Sequence, residues 1–215
     1  MRIIFIILFL VGCSQAMAGD LVLAHGGRDN IPANFLEVRA SHVTIDITAS
    51  AGREKGLFQE WERLAQFKTQ VETLASASNL FSVHRVASTY QGREAKSSFG
   101  SYGSASNYRL RVATTLRDDE SFITAAKRLN SFITKLQPHE NIEFRVGSYS
   151  LALQQPRQYR EALLKSLSEE IESAKSALGP GYKAKIYDFT DNLLVQQSGE
   201  DTVSVFFNYE VEFEQ

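Results

Sequence analysis

The stretch Tyr108–Gly179 leaves this chain few architectures. It reads strand, helix, strand, helix, and it closes on Leu178-Gly179-Pro180, the strongest stop signal present. Tyr108, Leu110, Val112, Thr114 and Leu116 alternate with Arg109, Arg111, Ala113, Thr115 and Arg117. A period of two gives a strand with one buried and one wetter face. Asp118 and Asp119 then offer an N-cap, and Glu120 adds negative charge where a helix dipole favours it. Phe122, Ile123, Ala126, Leu129, Phe132, Ile133 and Leu136 recur at helical spacing as one apolar stripe, which Pro138 ends. Ile142–Leu153 reads as the next strand. Ile142, Phe144 and Val146 share one parity and Tyr149, Leu151 and Leu153 the other, so a β-bulge is expected at Gly147-Ser148. Pro156 suits the first turn of a helix, where its missing N–H is no loss. Tyr159, Leu163, Leu167, Ile171, Ala174 and Leu178 make that helix's stripe, with Glu161 and Lys165 four apart on its outer side. Gly179 supplies the left-handed residue after it, and Pro180 blocks continuation.

The flanks pair with this centre or cover it. Phe35–Ala49 reads as a long strand whose parity changes near Ser41-His42, again as at a bulge. Ser50 is a plausible N-cap for a helix striped by Leu57, Trp61, Leu64, Phe67, Val71, Leu74 and Ala75, ending near Asn79. Leu80–Tyr90 reads as a strand. Gln91–Ser106, rich in Gly and Ser, reads as a mobile loop or ragged hairpin end. Tyr182–Phe189 is a strand, Thr190–Asp201 a polar connection, and Thr202–Phe213 the cleanest strand of all. The expected class is α+β in the order β-α-β-β-α-β-α-β-β. Its first six elements have the order of a split βαβ, ferredoxin-like unit, extended by one helix and two strands.

Residues 1–18 read as a targeting segment: Arg2 is a minimal positive region, and Ile3–Val11 is too short an apolar run to span a bilayer. Two cleavage readings stand open. Ala16-Met17-Ala18 fits ordinary signal peptidase, with cleavage after Ala18. Leu10-Val11-Gly12-Cys13 fits a lipobox, with a leader of residues 1–12 and lipidation of Cys13. Both imply export. Residues 19–34, with Gly26-Gly27, Asp29-Asn30 and Pro32, read as a flexible lead-in to an α+β domain over 35–215 that carries a long loop at 91–106. Of the 215 residues 43% are hydrophobic, enough for a sizeable core. The formal charge is −2, and −3 once Arg2 leaves with a leader. That balance argues against a nucleic-acid surface. Cys13 is the single cysteine, so the chain has no internal disulfide, and any membrane attachment is expected through a lipid on Cys13.

In order and spacing, Phe35–Phe213 resembles the SIMPL domain of bacterial periplasmic and outer-membrane-associated proteins, including oxidative-stress defence and periplasmic immunogenic proteins. The residues that carry the likeness are the Tyr-led strand Tyr108–Leu116 running into Asp118-Asp119, the strand from Phe144 to Leu151, and the helix Arg157–Leu178 closing on Gly179. The helix is less Ala-rich than the family pattern, and the loop Gly92–Ser106 has its own composition. The resemblance implies an α+β fold, a periplasmic or outer-membrane-associated location in a Gram-negative bacterium, and self-association into a homo-oligomer. It implies no enzymatic reaction.

Chemistry-bearing residues are sparse. His25, His42, His84 and His139 stand at no metal-ligand spacing; His42 and His84 become neighbours only if their strands pair. No G-x-S-x-G elbow is present, and Ser98, Ser101 and Ser104 have no partner readable from sequence. No catalytic, cofactor or metal residue is therefore assigned. Glu169, Glu170 and Glu172, with Lys165 and Lys175 nearby, read as a solvated helix face. Tyr90, Arg93, Lys96, Phe99, Tyr102 and Tyr108 mix aromatics and cations around the long loop and form a candidate rim for an envelope partner or ligand. Phe206 lies opposite the apolar row of the last strand, which as a sheet edge would offer pairing between subunits. The expectation is an exported, non-enzymatic envelope protein that works by binding or self-assembly, in oxidative or envelope stress protection. The alternative is a hydrolase-type envelope enzyme whose site is assembled from scattered residues.

Overall fold

The computed structural model describes residues 21–24, 34–51, 57–89, 106–137, 142–190 and 192–214. These residues form a mixed fold of helices packed on antiparallel sheets, with three α-helices and ten strands. The largest sheet has five strands: β1 (Leu21–Leu23), β3 (His42–Ala51), β4 (Phe81–Thr89), β5 (Asn107–Thr115) and β6 (Ile142–Gln154), in the order β1-β6-β3-β5-β4. The helices α1 (Leu57–Ser76) and α2 (Phe122–Ile133) pack on one of its faces. That face is the apolar parity of each strand: Val43, Ile45, Ile47 and Ala49 of β3 stand beside Tyr108, Leu110 and Val112 of β5, all buried. Leu64, Phe67 and Val71 of α1 and Ala125, Leu129 and Phe132 of α2 close the core over them. Side chains of a half-buried strand alternate between core and surface, so the opposite face takes the polar set: Thr44, Asp46, Thr48, Arg109 and Arg111.

A three-stranded sheet, β2 (Leu36–Arg39), β9 (Thr202–Phe207) and β8 (Leu193–Gln197), packs against the β1/β6 side. Its apolar face, Val195, Val203, Val205 and Phe207, belongs to the same core cluster as the main sheet. A third sheet has only two strands, β7 (Lys183–Tyr187) and β10 (Glu210–Glu214), and stands with α3 (Arg160–Leu178).

Several boundaries differ from the sequence reading. The long strand expected at Phe35–Ala49 is two strands in two sheets. Ala40 N–H donates to Asp201 O at 2.8 Å and Ser41 N–H to Ala152 O at 3.1 Å, so the parity change marks a crossing between sheets rather than a bulge. Thr202–Phe213 likewise divides: β9 lies in the middle of its sheet and β10 pairs with β7, with the break at Asn208-Tyr209. Phe206 is consequently buried at 5% exposure, and its strand is no edge. The connection Thr190–Asp201 contains β8, and Leu21–Leu23 of the expected lead-in is an edge strand paired with β6. Ser50 is not a cap but lies inside β3, opposite Asn107 and Glu143. The cap of α2 is Ser121, whose Oγ accepts from Thr124 N–H at 3.4 Å, while Asp118 and Asp119 form the preceding turn. The stripe of α2 is rotated toward Ala125, and Ile123 is 54% exposed. The Gly147-Ser148 bulge is present: Ile45 faces Tyr149 while Ile47 faces Val146, leaving both residues opposite Asp46 alone.

Candidate docking surface

The apolar stripe on α3 follows the sequence spacing, but only Leu163 and Leu167 of it are fully buried. The helix begins after a short 3₁₀ turn with Pro156 at its start and ends at Gly179, whose φ of 101° lies in the left-handed region that glycine adopts without strain. Among the described residues, the stripe beyond Leu167 meets the two-stranded sheet of β7 and β10. Two apolar troughs result. One, with a volume of about 400 Å³, is lined by Leu164, Leu167, Ser168, Ile171, Ile186 and Phe189. The other, about 230 Å³, is lined by Leu167, Glu170, Ile171, Ala174, Tyr209, Val211 and Phe213. Ile186 is 45% exposed and Phe189 39%. Contiguous exposed apolar side chains of this kind mark interaction surfaces more often than isolated ones do. Burial and then the Glu170 carboxylate push the Tyr209 phenol above its ordinary range, so it stays a neutral donor at the trough's margin.

The β7/β10 ribbon has two chemically distinct faces. Lys185 stands across from Glu212 and Lys183 across from Glu214, with Lys185 Nζ 2.5 Å from Glu214 Oε2 on the diagonal. Ala184 and Ile186 stand beside Phe213 and Val211 on the parity that lines the troughs. The hydrogen bond from Lys185 to Glu214 holds the ammonium above its usual range. This apolar parity was visible in the sequence as the alternation Lys-Ala-Lys-Ile and Glu-Val-Glu-Phe-Glu, yet nothing in the sequence indicated that its cover would be incomplete.

The open face of the main sheet carries the other concentration of charge. Asp46 accepts from Arg109 Nε at 3.0 Å and Nη2 at 2.5 Å, and from Arg111 Nε at 2.8 Å. His84 is paired across from Arg111, with Nε2 3.1 Å from Ser82 Oγ. His42 Nδ1 lies 2.9 Å from Ser41 Oγ. The strands of the two histidines do not pair, because β5 runs between them. Burial lowers both imidazoles below their ordinary range, with His84 adding to the effect at His42 and Arg111 to that at His84. This face therefore holds an ion-paired carboxylate and two imidazoles, each within hydrogen-bond distance of a serine hydroxyl.

Of the expected site residues, Cys13, Ala18, Tyr90, Arg93, Lys96, Phe99 and Tyr102 lie outside the described residues, as do His25, His139, Ser98, Ser101 and Ser104. Tyr108 is described and is no part of a rim: it is 4% exposed on the core face, under the Arg85 guanidinium. On α3, Lys165 pairs with Glu169 and Lys175 with Glu172, as a solvated face does, though Glu161 is not the partner of Lys165. Compared with known proteins, the chain matches no family model and no curated protein.

Proposed function

We propose that this is an exported, non-enzymatic protein of the bacterial envelope that acts by binding, through self-assembly, in oxidative or envelope stress protection. The observation that carries the reading is the half-covered apolar stripe of α3 above the β7/β10 ribbon. A surface lined by Leu, Ile and Phe with one carboxylate at its margin suits association rather than bond-breaking chemistry. The strand order of the β3-α1-β4-β5-α2-β6 segment supports a ferredoxin-like split βαβ unit, since the first strand lies between the last and the third and the second takes the edge. It also accords with the SIMPL resemblance, from which the envelope location and the stress role come.

Size-exclusion light scattering tests the reading. The wild-type protein is expected above monomer mass, and Ile186→Asp with Phe189→Asp is expected at monomer mass. Ile186 is 45% exposed and tolerates the change, whereas the Phe189 ring packs on Phe207 at 5.0 Å, so Ile186→Asp alone, also expected at monomer mass, is the control against unfolding. A wild-type protein that stays monomeric from micromolar to near-millimolar concentration would rule self-assembly out.

A further inference from the structure

We propose that the open face of the main sheet binds a phosphate group, gripped between Arg109 and Arg145 over Thr48. The site shares no residue with the α3 troughs and does not depend on self-assembly. Directly opposite residues of antiparallel strands share a face. One row across β4, β5, β3 and β6 therefore runs Ala87, Arg109, Thr48, Arg145. The neighbouring row runs His84, Arg111, Asp46 and ends at the Gly147-Ser148 bulge.

Charge in these rows is left over. Asp46 accepts from both Arg109 and Arg111, so its carboxylate is already engaged by two guanidiniums. Arg145 is exposed, and among the described residues it makes no side-chain hydrogen bond or ion pair; nor does the Thr48 hydroxyl make a hydrogen bond. The other carboxylate on this face is Glu143, two residues from Arg145 on β6, exposed and not paired with it. Three guanidiniums thus stand among two carboxylates, and Arg109 and Arg145 repel each other across Thr48. An anion between them relieves that repulsion.

The spacing selects the kind of anion. Neighbouring strands lie about 4.8 Å apart, so Arg109 and Arg145 stand roughly 9.6 Å apart at the backbone, with Thr48 midway. Side chains rise roughly perpendicular to a sheet, which puts a guanidinium on either side of the Thr48 hydroxyl. A planar carboxylate is filled by one guanidinium fork. A tetrahedral phosphate has diverging oxygens that can meet both forks and the hydroxyl beneath them. Arg109 is held in advance: its Nε and Nη2 go to Asp46 Oδ2, which leaves Nη1 for a ligand. A side chain already fixed loses less freedom on binding. The flanks of the row stay low, with Ala87 beyond Arg109 and Gly147 next to Arg145 on the same strand. The phosphate can be free or the headgroup of an acidic lipid, since both present the same terminal oxygens.

Titration calorimetry with inorganic phosphate at low ionic strength, where exposed charge is least screened, tests the site. Saturable one-to-one binding is expected. Arg145→Gln is expected to weaken it about tenfold or more, as the loss of a charged hydrogen bond does. Thr48→Val should weaken it less. Lys127→Gln removes the same charge from an exposed position on α2 and is expected to leave binding unchanged. Co-sedimentation with phosphatidylcholine vesicles, with and without phosphatidic acid, separates the two sources. Capture that requires phosphatidic acid and is lost in Arg145→Gln assigns a lipid headgroup; phosphate binding without capture assigns a soluble phosphate. No saturable binding in either assay, or equal weakening by Lys127→Gln and Arg145→Gln, would overturn the proposal.

Discussion

Asp46 shows how a single residue sets the character of a sheet face. It lies opposite the bulge, where the backbone of Gly147 comes so close that an added Cβ would stand 3.3 Å from Asp46 O. Two guanidiniums converge on its carboxylate, so the polar face holds an organised ion cluster where an isolated buried charge would be costly. The histidines on the same face give this scale its prediction. Both are depressed below the ordinary value of 6.5, so the unfolded chain takes up protons first as pH falls. Their contribution to stability is complete above about pH 6.5 and is lost as pH drops toward the folded-state values. Thermal unfolding at about pH 5 is expected at a lower temperature than at about pH 7.5, and the double variant His42→Gln, His84→Gln should lose part of that difference. An unchanged pH profile in the double variant would assign the acid sensitivity to other groups.

Elements were legible where their periodicity was uninterrupted and their partners were local. The alternation at Tyr108–Leu116 and the stripes of α1 and α2 announced the main sheet and its cover, and the parity slip at Gly147-Ser148 announced its bulge. A parity slip has two physical meanings, however, and at Ser41-His42 it marks a change of partner strand. Thr202–Phe213 has no slip at all, so its division into β9 and β10 left Asn208 as the sole cue. Capping is ambiguous for a comparable reason: three acidic or hydroxyl residues, Asp118, Asp119 and Ser121, compete for one role, and the contacts of Arg39 with Arg117 O and Glu120 O and of Arg128 with the Glu120 carboxylate hold the turn so that Ser121 takes it. Ser121→Ala is expected to cost about 1 kcal/mol, read as a fall in the chemical-denaturation midpoint, whereas Asp118→Ala should cost little. The reverse ranking would return the cap to the aspartates. The trough beside α3 was not legible, because exposure depends on how many strands reach the stripe, and that depends on which sheet β10 joins.

At the scale of the molecule, a single side chain ties the small sheet to the large one. Arg39, at the end of β2, donates Nε to Asp201 Oδ2 at 3.2 Å, Nη1 to Arg117 O at 2.5 Å and Nη2 to Glu120 O at 2.5 Å. The first joins it to the approach to β9; the others reach the connection between β5 and α2. Arg128 extends the network by donating to Thr114 Oγ1 at 2.8 Å and to the Glu120 carboxylate. Arg39→Ala is expected to destabilise the protein by about 1.5–3 kcal/mol, since charged hydrogen bonds are lost from a partly buried site. Amide exchange should rise first in β2 and β9; a uniform rise across all strands would argue against a joint between sheets.

The pairing of β2 with β9 also has a consequence in time. Leu36–Arg39 finds its partner only at Thr202–Val205, far along the chain and beyond the whole of the main sheet. A polypeptide emerging N-terminus first from a ribosome holds β2 without this partner until β9 has followed it. Contacts so distant in sequence form late and slowly. The arrival of β9 thus completes a sheet whose first strand has long been waiting, and that sheet cannot close ahead of its own delivery.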